Sequence, residues 1–362
     1  MIRIASVGYG DIARRRHFAE LRNFVGNAQL VAIAGRDEPS LSECARELGI
    51  PDWYTNSDMM LARADIDAVL ILTPPESHVE YAKKAIRAGK HVMLEKPMVM
   101  SITEASELLQ CLEAQQQRQS LTFLPLPHVD IPEHRSVKRL ITDGVIGEPT
   151  SVECHRGHRG PTHADWFYQK KLAGGGALFD LGIYQVSTVV SLFGPARTVT
   201  ALCNRRFESR TMDDGTVIKP DVEDSAIVSL WLENGMAVSI NANWNGYVPH
   251  HATRRRVTVI GREGSLHFGV DDGCIYLHRT DENYGMIDEV TEHAQFDGYS
   301  CRKLTLESGK GRSTIIGEFV DMIASEKTST RPLKVQVHVM EIVLKAYHSS
   351  EANRVQKLNT RF

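Results

Sequence analysis

The sequence predicts an α/β domain with a parallel sheet, followed by an α+β domain built on a large open, mostly antiparallel or mixed sheet. Two observations carry this. The first third alternates short apolar runs with amphipathic stretches, the pattern of right-handed β-α-β units. Beyond Leu124-Pro-Leu-Pro127 the strand-like runs come in series, and several alternate polar and apolar residues as a sheet with one wetted face does. At about 150 residues per domain, 362 residues suit two domains, and the change of pattern divides them into 1–125 and 126–362.

In the first part Ile2–Val7, Leu30–Ala34, Ala68–Leu72, His91–Leu94 and Leu121–Leu124 are apolar runs of strand length. Helical periodicity runs through Ile12–Phe24, Leu41–Leu48, Val79–Ala88 and Thr103–Ala114, with Gly49 and Gly89 as stops. In the second part a helix over Glu133–Thr142 ends at Gly144. Strands are expected at Thr150–His155, Thr198–Cys203, Ser225–Leu232, Ala237–Trp244, Arg255–Ile260, Ser265–Phe268 and Cys274–His278. Two helices, Thr314–Ser325 and Val335–Ala352, close the chain.

Composition narrows the function. Hydrophobic residues make up 42% and charged residues 24%, enough apolar surface for ordinary cores. The 42 Lys and Arg nearly balance 45 Asp and Glu, for a net charge of −3, so no basic field suits nucleic acid. No run approaches the ~20 apolar residues of a membrane span, and Met1–Val7 reads as a strand, not a signal peptide. Six cysteines without a C-x-x-C pair read as reduced thiols of a cytoplasmic protein.

Gly8-Tyr9-Gly10-Asp11-Ile12-Ala13 follows the first strand and opens the first helix. The first glycine permits the turn, the second lets the backbone approach a pyrophosphate, and Ala13 allows close packing, which makes this an α/β Rossmann dinucleotide-binding domain. The second strand ends Ala34-Gly35-Arg36-Asp37. Gly35 leaves room and Arg36 suits a 2′-phosphate, so NADP is expected; the alternative is NAD, with Asp37 on the ribose. The run Arg14–Arg16 reads as an exposed helix face.

In a parallel sheet the carboxyl ends of the strands share one edge, where ligands bind. Thr73-Pro74-Pro75 and Glu95-Lys96-Pro97 both sit at such ends, so Lys96 is expected on the cofactor rim. The second half supplies Gly174-Gly-Gly-Ala-Leu-Phe-Asp180-Leu-Gly-Ile-Tyr184, read as a flexible glycine entry to a buried helix over Ala177–Phe193. Asp180 and Tyr184 are four apart and share a face. They read either as a cap or structural salt bridge, or as partners of Lys96 across the interdomain cleft.

These motifs, in this order, resemble the glucose–fructose oxidoreductase, inositol dehydrogenase and rhizopine-catabolism (Gfo/Idh/MocA) family over nearly the whole chain. The resemblance implies an NAD(P)-dependent oxidoreductase acting on a sugar, cyclitol or related diol, a homodimer or homotetramer through its open sheet, and a cis bond before Pro97. Many members carry histidine where this chain has Tyr184; tyrosine there resembles the subgroup with glucose–fructose oxidoreductase, dihydrodiol dehydrogenase and some xylose dehydrogenases. Thr73-Pro-Pro-Glu-Ser-His78 also matches, and implies that His78 lies near the active lysine. The chain departs from the family at Leu124-Pro-Leu-Pro-His128, where members often have an Asn-x-Arg-like segment.

On this reading Tyr184 is the acid/base, Lys96 a cation and hydrogen-bond donor beside it, and Asp180 an orienting carboxylate, with a deprotonated Lys96 as the alternative base. Arg156, Arg159, His163 and Trp166 are candidate substrate contacts or packed surface. Cys154-His155-x-x-His158 with His163 lacks a clear fourth ligand, so no metal is expected. Arg254-Arg-Arg256 would be split between the faces of a strand. Competing functions on the same scaffold are an NAD-dependent glycosidase and a non-catalytic sensor of NAD(P) or sugar.

Overall fold

The computed structural model describes residues 1–128, 132–246, 255–269, 274–279, 291–296, 299–305, 314–326 and 329–362. The chain divides into two compact units, 1–128 with 311–340 and 362, and 129–310 with 341–361. Residues 311–340 therefore go with the first unit, unlike the single cut after residue 125 read from the sequence. The cause is the helix Ile315–Ala324, whose Ile316, Phe319 and Val320 bury in the core of the first sheet beside Leu21, Ile33 and Leu41.

The first unit holds six parallel strands: β1 (Ile2–Val7), β2 (Ala28–Ala34), β3 (Asp52–Tyr54), β4 (Ala68–Ile71), β5 (His91–Leu94) and β6 (Phe123–Pro125). Their order, β3-β2-β1-β4-β5-β6, reverses direction between β1 and β4, the point where such sheets open a ligand crevice. β4 is buried on both faces, which is why it reads as one unbroken apolar run. The short β3 carries no periodicity and was not legible in the sequence.

In the second unit come β7 (Pro149–Gly157), β8 (Ala196–Asn204), a small hairpin of β9 (Arg210–Thr211) and β10 (Val217–Ile218), β11 (Ser225–Leu232), β12 (Ala237–Asn243), β13 (Arg255–Gly261), β14 (Gly264–Gly269), β15 (Cys274–Arg279), β16 (Thr291–Phe296), β17 (Tyr299–Thr305) and β18 (Gln356–Lys357). Among the described residues the large sheet runs β16-β17-β15-β14-β13-β7-β12-β11-β8-β18, antiparallel except at β7–β12. Along β11 burial alternates strictly, leaving Ile227, Ser229 and Trp231 exposed on one face. Leu202 of β8 is exposed directly opposite Ile227. Arg254 lies outside the described residues.

Two expected helices contain π-helical turns, Ala13–Phe18 after the first glycine turn and Leu178–Gly182 after the second. Such turns recur at functional sites. The segment Lys170–Phe193 has the length and composition of a membrane span, contrary to the sequence expectation, yet 72% of its most apolar window is buried in the protein. It is a core helix interrupted at its glycines.

Candidate active site

In the first unit, Gly8 has φ +97°, and a Cβ there would stand 2.5 Å from the Leu72 carbonyl oxygen, so only glycine fits. A Cβ on Gly10 would meet nothing within 4 Å. That open space lies beside the first turn of a helix, whose N–H groups lack intrahelical partners, and it suits a pyrophosphate. Ala13 is fully buried, as close helix–sheet packing requires. Arg15 and Arg14 pair with Asp11 and Glu47, which occupies part of the arginine run with the chain's own carboxylates.

At the end of β2, Tyr9 lies against Gly35, where any Cβ would stand 2.2 Å from the ring. The Tyr9 hydroxyl donates to the Asp37 carbonyl oxygen at 3.2 Å. Arg36 is exposed, whereas Asp37 caps the helix Glu38–Leu48, its Oδ1 accepting the Ser40 N–H at 3.0 Å.

Glu95, at the end of β5, is buried. One carboxylate oxygen lies 3.0 Å from His17 Nε2; the other accepts the Lys96 main-chain N–H at 2.7 Å. Burial would raise its pKa, but the His17 hydrogen bond, the His17 and Lys96 charges and the Lys96 N–H together hold it down at about 2. The Lys96–Pro97 bond is cis, as the resemblance implied. Behind it stands His78, wholly buried, with Nδ1 2.7 Å from the Pro97 carbonyl oxygen and Nε2 2.8 Å from that of Thr73. Burial lowers its pKa against these two contacts. The His78 ring thus stands between the Thr73 and Pro97 turns, where a neutral imidazole donates its one N–H to one of the two carbonyls.

In the second unit, the glycines before Asp180 are tightly packed, not a flexible entry. A Cβ on Gly175 would stand 2.3 Å from the Tyr347 hydroxyl, and one on Gly176 only 1.8 Å from the Glu223 carbonyl oxygen. The buried Glu223 carboxylate accepts the N–H groups of Gly176 and Leu178, each at 2.9 Å, and the Tyr347 O–H at 2.8 Å. It thereby caps the helical segment carrying Asp180 and Tyr184, and burial raises its pKa.

Asp180 accepts the Trp244 indole N–H at 3.2 Å, and His158 Nε2 stands 3.7 Å from the same oxygen. Because His158 Nδ1 accepts the Gly160 N–H at 2.9 Å, the ring's proton sits on Nε2, toward the carboxylate. The Arg156 guanidinium is 3.8 Å from the centre of the Tyr184 ring. Sequence reasoning missed the roles of Trp244, Glu223 and His17. The sequence offers His158 only as a metal ligand, and Arg156 as a substrate contact or packed surface. Arg156, His158 and Trp244 stand at or just past the ends of β7 and β12, and that address was the available signal. His163 and Trp166 both pack on Phe167, and Arg159 is exposed. Among the described residues no three His, Cys, Asp or Glu side chains are grouped to hold a metal.

Residues 2–123 match a family model described as an oxidoreductase family with an NAD-binding Rossmann fold, and 134–267 match the GFO/IDH/MocA C-terminal domain. An uncharacterized oxidoreductase of Synechocystis sp. is 30% identical over 282 residues, covering 76% of this chain and 73% of the relative. A dTDP-3,4-didehydro-2,6-dideoxy-alpha-D-glucose 3-reductase of Streptomyces antibioticus is 27% identical, covering 73% of this chain and 74% of its own. A solved levoglucosan dehydrogenase in complex with NADH shares the fold at TM-score 0.80 and 19% identity, over 99% of both chains.

Proposed function

Because this chain belongs to the Gfo/Idh/MocA family of NAD-binding oxidoreductases, we propose that it moves a hydride between a nicotinamide and a hydroxyl-bearing carbon of a sugar, cyclitol or related diol. The observation that carries this reading is Lys96, half-buried and tied through its main-chain N–H to the buried Glu95 carboxylate, on the same sheet edge as the open space at Gly10. Relatives named for sugar chemistry support the substrate class.

The residues divide the work by chemistry. The nicotinamide, when bound, supplies the hydride exchange. The helix after Gly10 holds the pyrophosphate. Lys96 donates a hydrogen bond to the substrate oxygen where negative charge develops. Tyr184 exchanges the hydroxyl proton. Asp180, steadied by Trp244 and His158, orients substrate hydroxyls. Arg159, His163 and Trp166 remain candidates for further sugar contacts.

NADP is the preferred cofactor in this proposal. Arg36 is exposed beside Gly35, and the Asp37 carboxylate is engaged as a helix cap, which leaves it less available to a ribose. The exposed sheet face with Leu202, Ile227 and Trp231 suits a homodimer or homotetramer.

The test is a screen of aldoses, cyclitols, sugar acids and aromatic diols for nicotinamide absorbance change with each cofactor. Turnover on one class supports the proposal. Saturable dinucleotide binding without turnover on any class overturns it in favour of a sensor; sugar release without net nicotinamide reduction overturns it in favour of a glycosidase.

A further inference from the structure

His17 was not among the residues the motifs point to, yet it is wholly buried, on the π-helical turn Ala13–Phe18 directly after the glycine turn. Its Nε2 faces Glu95 Oε1 at 3.0 Å across 78 residues of sequence, and its Nδ1 has no hydrogen-bond partner. A carboxylate only accepts, so His17 donates through Nε2. The second Glu95 oxygen accepts the Lys96 main-chain N–H. One buried carboxylate thus joins the helix that follows the dinucleotide turn to the backbone of Lys96.

We propose that His17 is a positioning residue for Lys96: acting through Glu95, it holds the Lys96 main chain to the helix beneath the dinucleotide, so that the ammonium is aligned to the cofactor before substrate arrives. This rests on the oxidoreductase reading of Lys96.

The physical reason is the cost of a buried charge. An ionised carboxylate away from water needs donors on its oxygens. The groups acting on Glu95 are His17 from the helix, Lys96 from its own segment and His78 from the helix His78–Arg87. Without His17, one oxygen loses its donor, the carboxyl is protonated more readily, and its hold on Lys96 changes with pH. A misplacement of this kind, small and remote from the reacting atoms, lowers turnover strongly and binding little.

The experiment compares His17→Leu, His17→Gln, His17→Asn and the double variant His17→Leu/Glu95→Gln with the wild-type full-length chain. It reads kcat against pH, dinucleotide Kd by calorimetry, and the Glu95 carboxyl resonance by carbon NMR. In His17→Leu, kcat is expected to fall between about tenfold and about a hundredfold, with a new acid limb and little change in dinucleotide Kd. The Glu95 resonance then titrates where the wild type stays ionised. Glutamine, whose amide reaches the Nε2 position, restores kcat; asparagine, which reaches only the Nδ1 position, does not. The double variant stays slow but loses the acid limb.

Wild-type kcat and pH profile in His17→Leu overturn the proposal. So does a parallel fall of kcat, dinucleotide affinity and thermal stability with no Glu95 titration. If His17→Leu does not fold, the glutamine–asparagine contrast decides. Failure of the wild type to turn over any substrate counts against the proposed function instead; the Glu95 titration and a dinucleotide-induced shift of the His17 ring nitrogens then test the linkage without turnover.

Discussion

Gly8–Gly10 and Gly174–Gly176 are both glycine turns that open a helical segment through a π turn. Their glycines answer different needs. At Gly10 a side chain would enter open space, whereas at Gly176 it would strike the Glu223 carbonyl oxygen. The first turn keeps a space clear for a ligand. The second lets the protein approach itself, so that Glu223 can cap the segment bearing Asp180 and Tyr184. A glycine-rich stretch therefore does not by itself mean a ligand or a flexible hinge.

The sharpest break would come from chemistry that neither turn performs. Lys96→Ala is expected to lower kcat by about a thousandfold with dinucleotide Kd nearly unchanged, as steady-state rates and calorimetry would show. If Tyr184→Phe acts on the same substrate oxygen, adding it to Lys96→Ala costs less than the two losses multiplied.

Next in size, Gly176→Ala should destabilise the fold by about 3 kcal/mol, read by denaturant melts, because main chain blocks the added methyl. Gly10→Ala should leave stability within about 0.5 kcal/mol but weaken the dinucleotide about tenfold or more. Similar stability losses in the two variants would erase the contrast between the turns.

The two buried glutamates differ in the same way. The Glu95 pKa, about 2 against an ordinary 4.5, means that its pairing stabilises the fold fully above pH 4.5 and that this is lost as pH falls through 2. The Glu223 pKa is raised, so its contribution runs oppositely, falling as pH climbs from the ordinary carboxyl range through the raised value. Tm measured against pH for Glu95→Gln and Glu223→Gln should differ from wild type in opposite senses. The smallest effect concerns the cofactor: Arg36→Ala should lower kcat/KM for NADP about tenfold and leave NAD nearly untouched.

Much of the fold was legible because it is locally written. The spans Ile2–Val7, His91–Leu94 and Ser225–Leu232 were read from apolar runs and alternation and match β1, β5 and β11. The polar β16 and β17, and the short β3 and β18, carry too little pattern to be read. The return of residues 311–340 to the first unit was hidden because an amphipathic helix shows that it has an apolar face, not which core receives it.

The sequence by itself determined the parallel first sheet, the glycine turn at its edge, the strand-end turn carrying Lys96 and the segment carrying Asp180 and Tyr184. Each depends on spacing or backbone freedom within a few residues. Only the tertiary structure decided which groups hold them. His17 meets Glu95 across 78 positions, and Trp244 meets Asp180 across 64. A buried charge takes its partner from whatever folding brings within hydrogen-bond reach, and local periodicity carries no record of that choice.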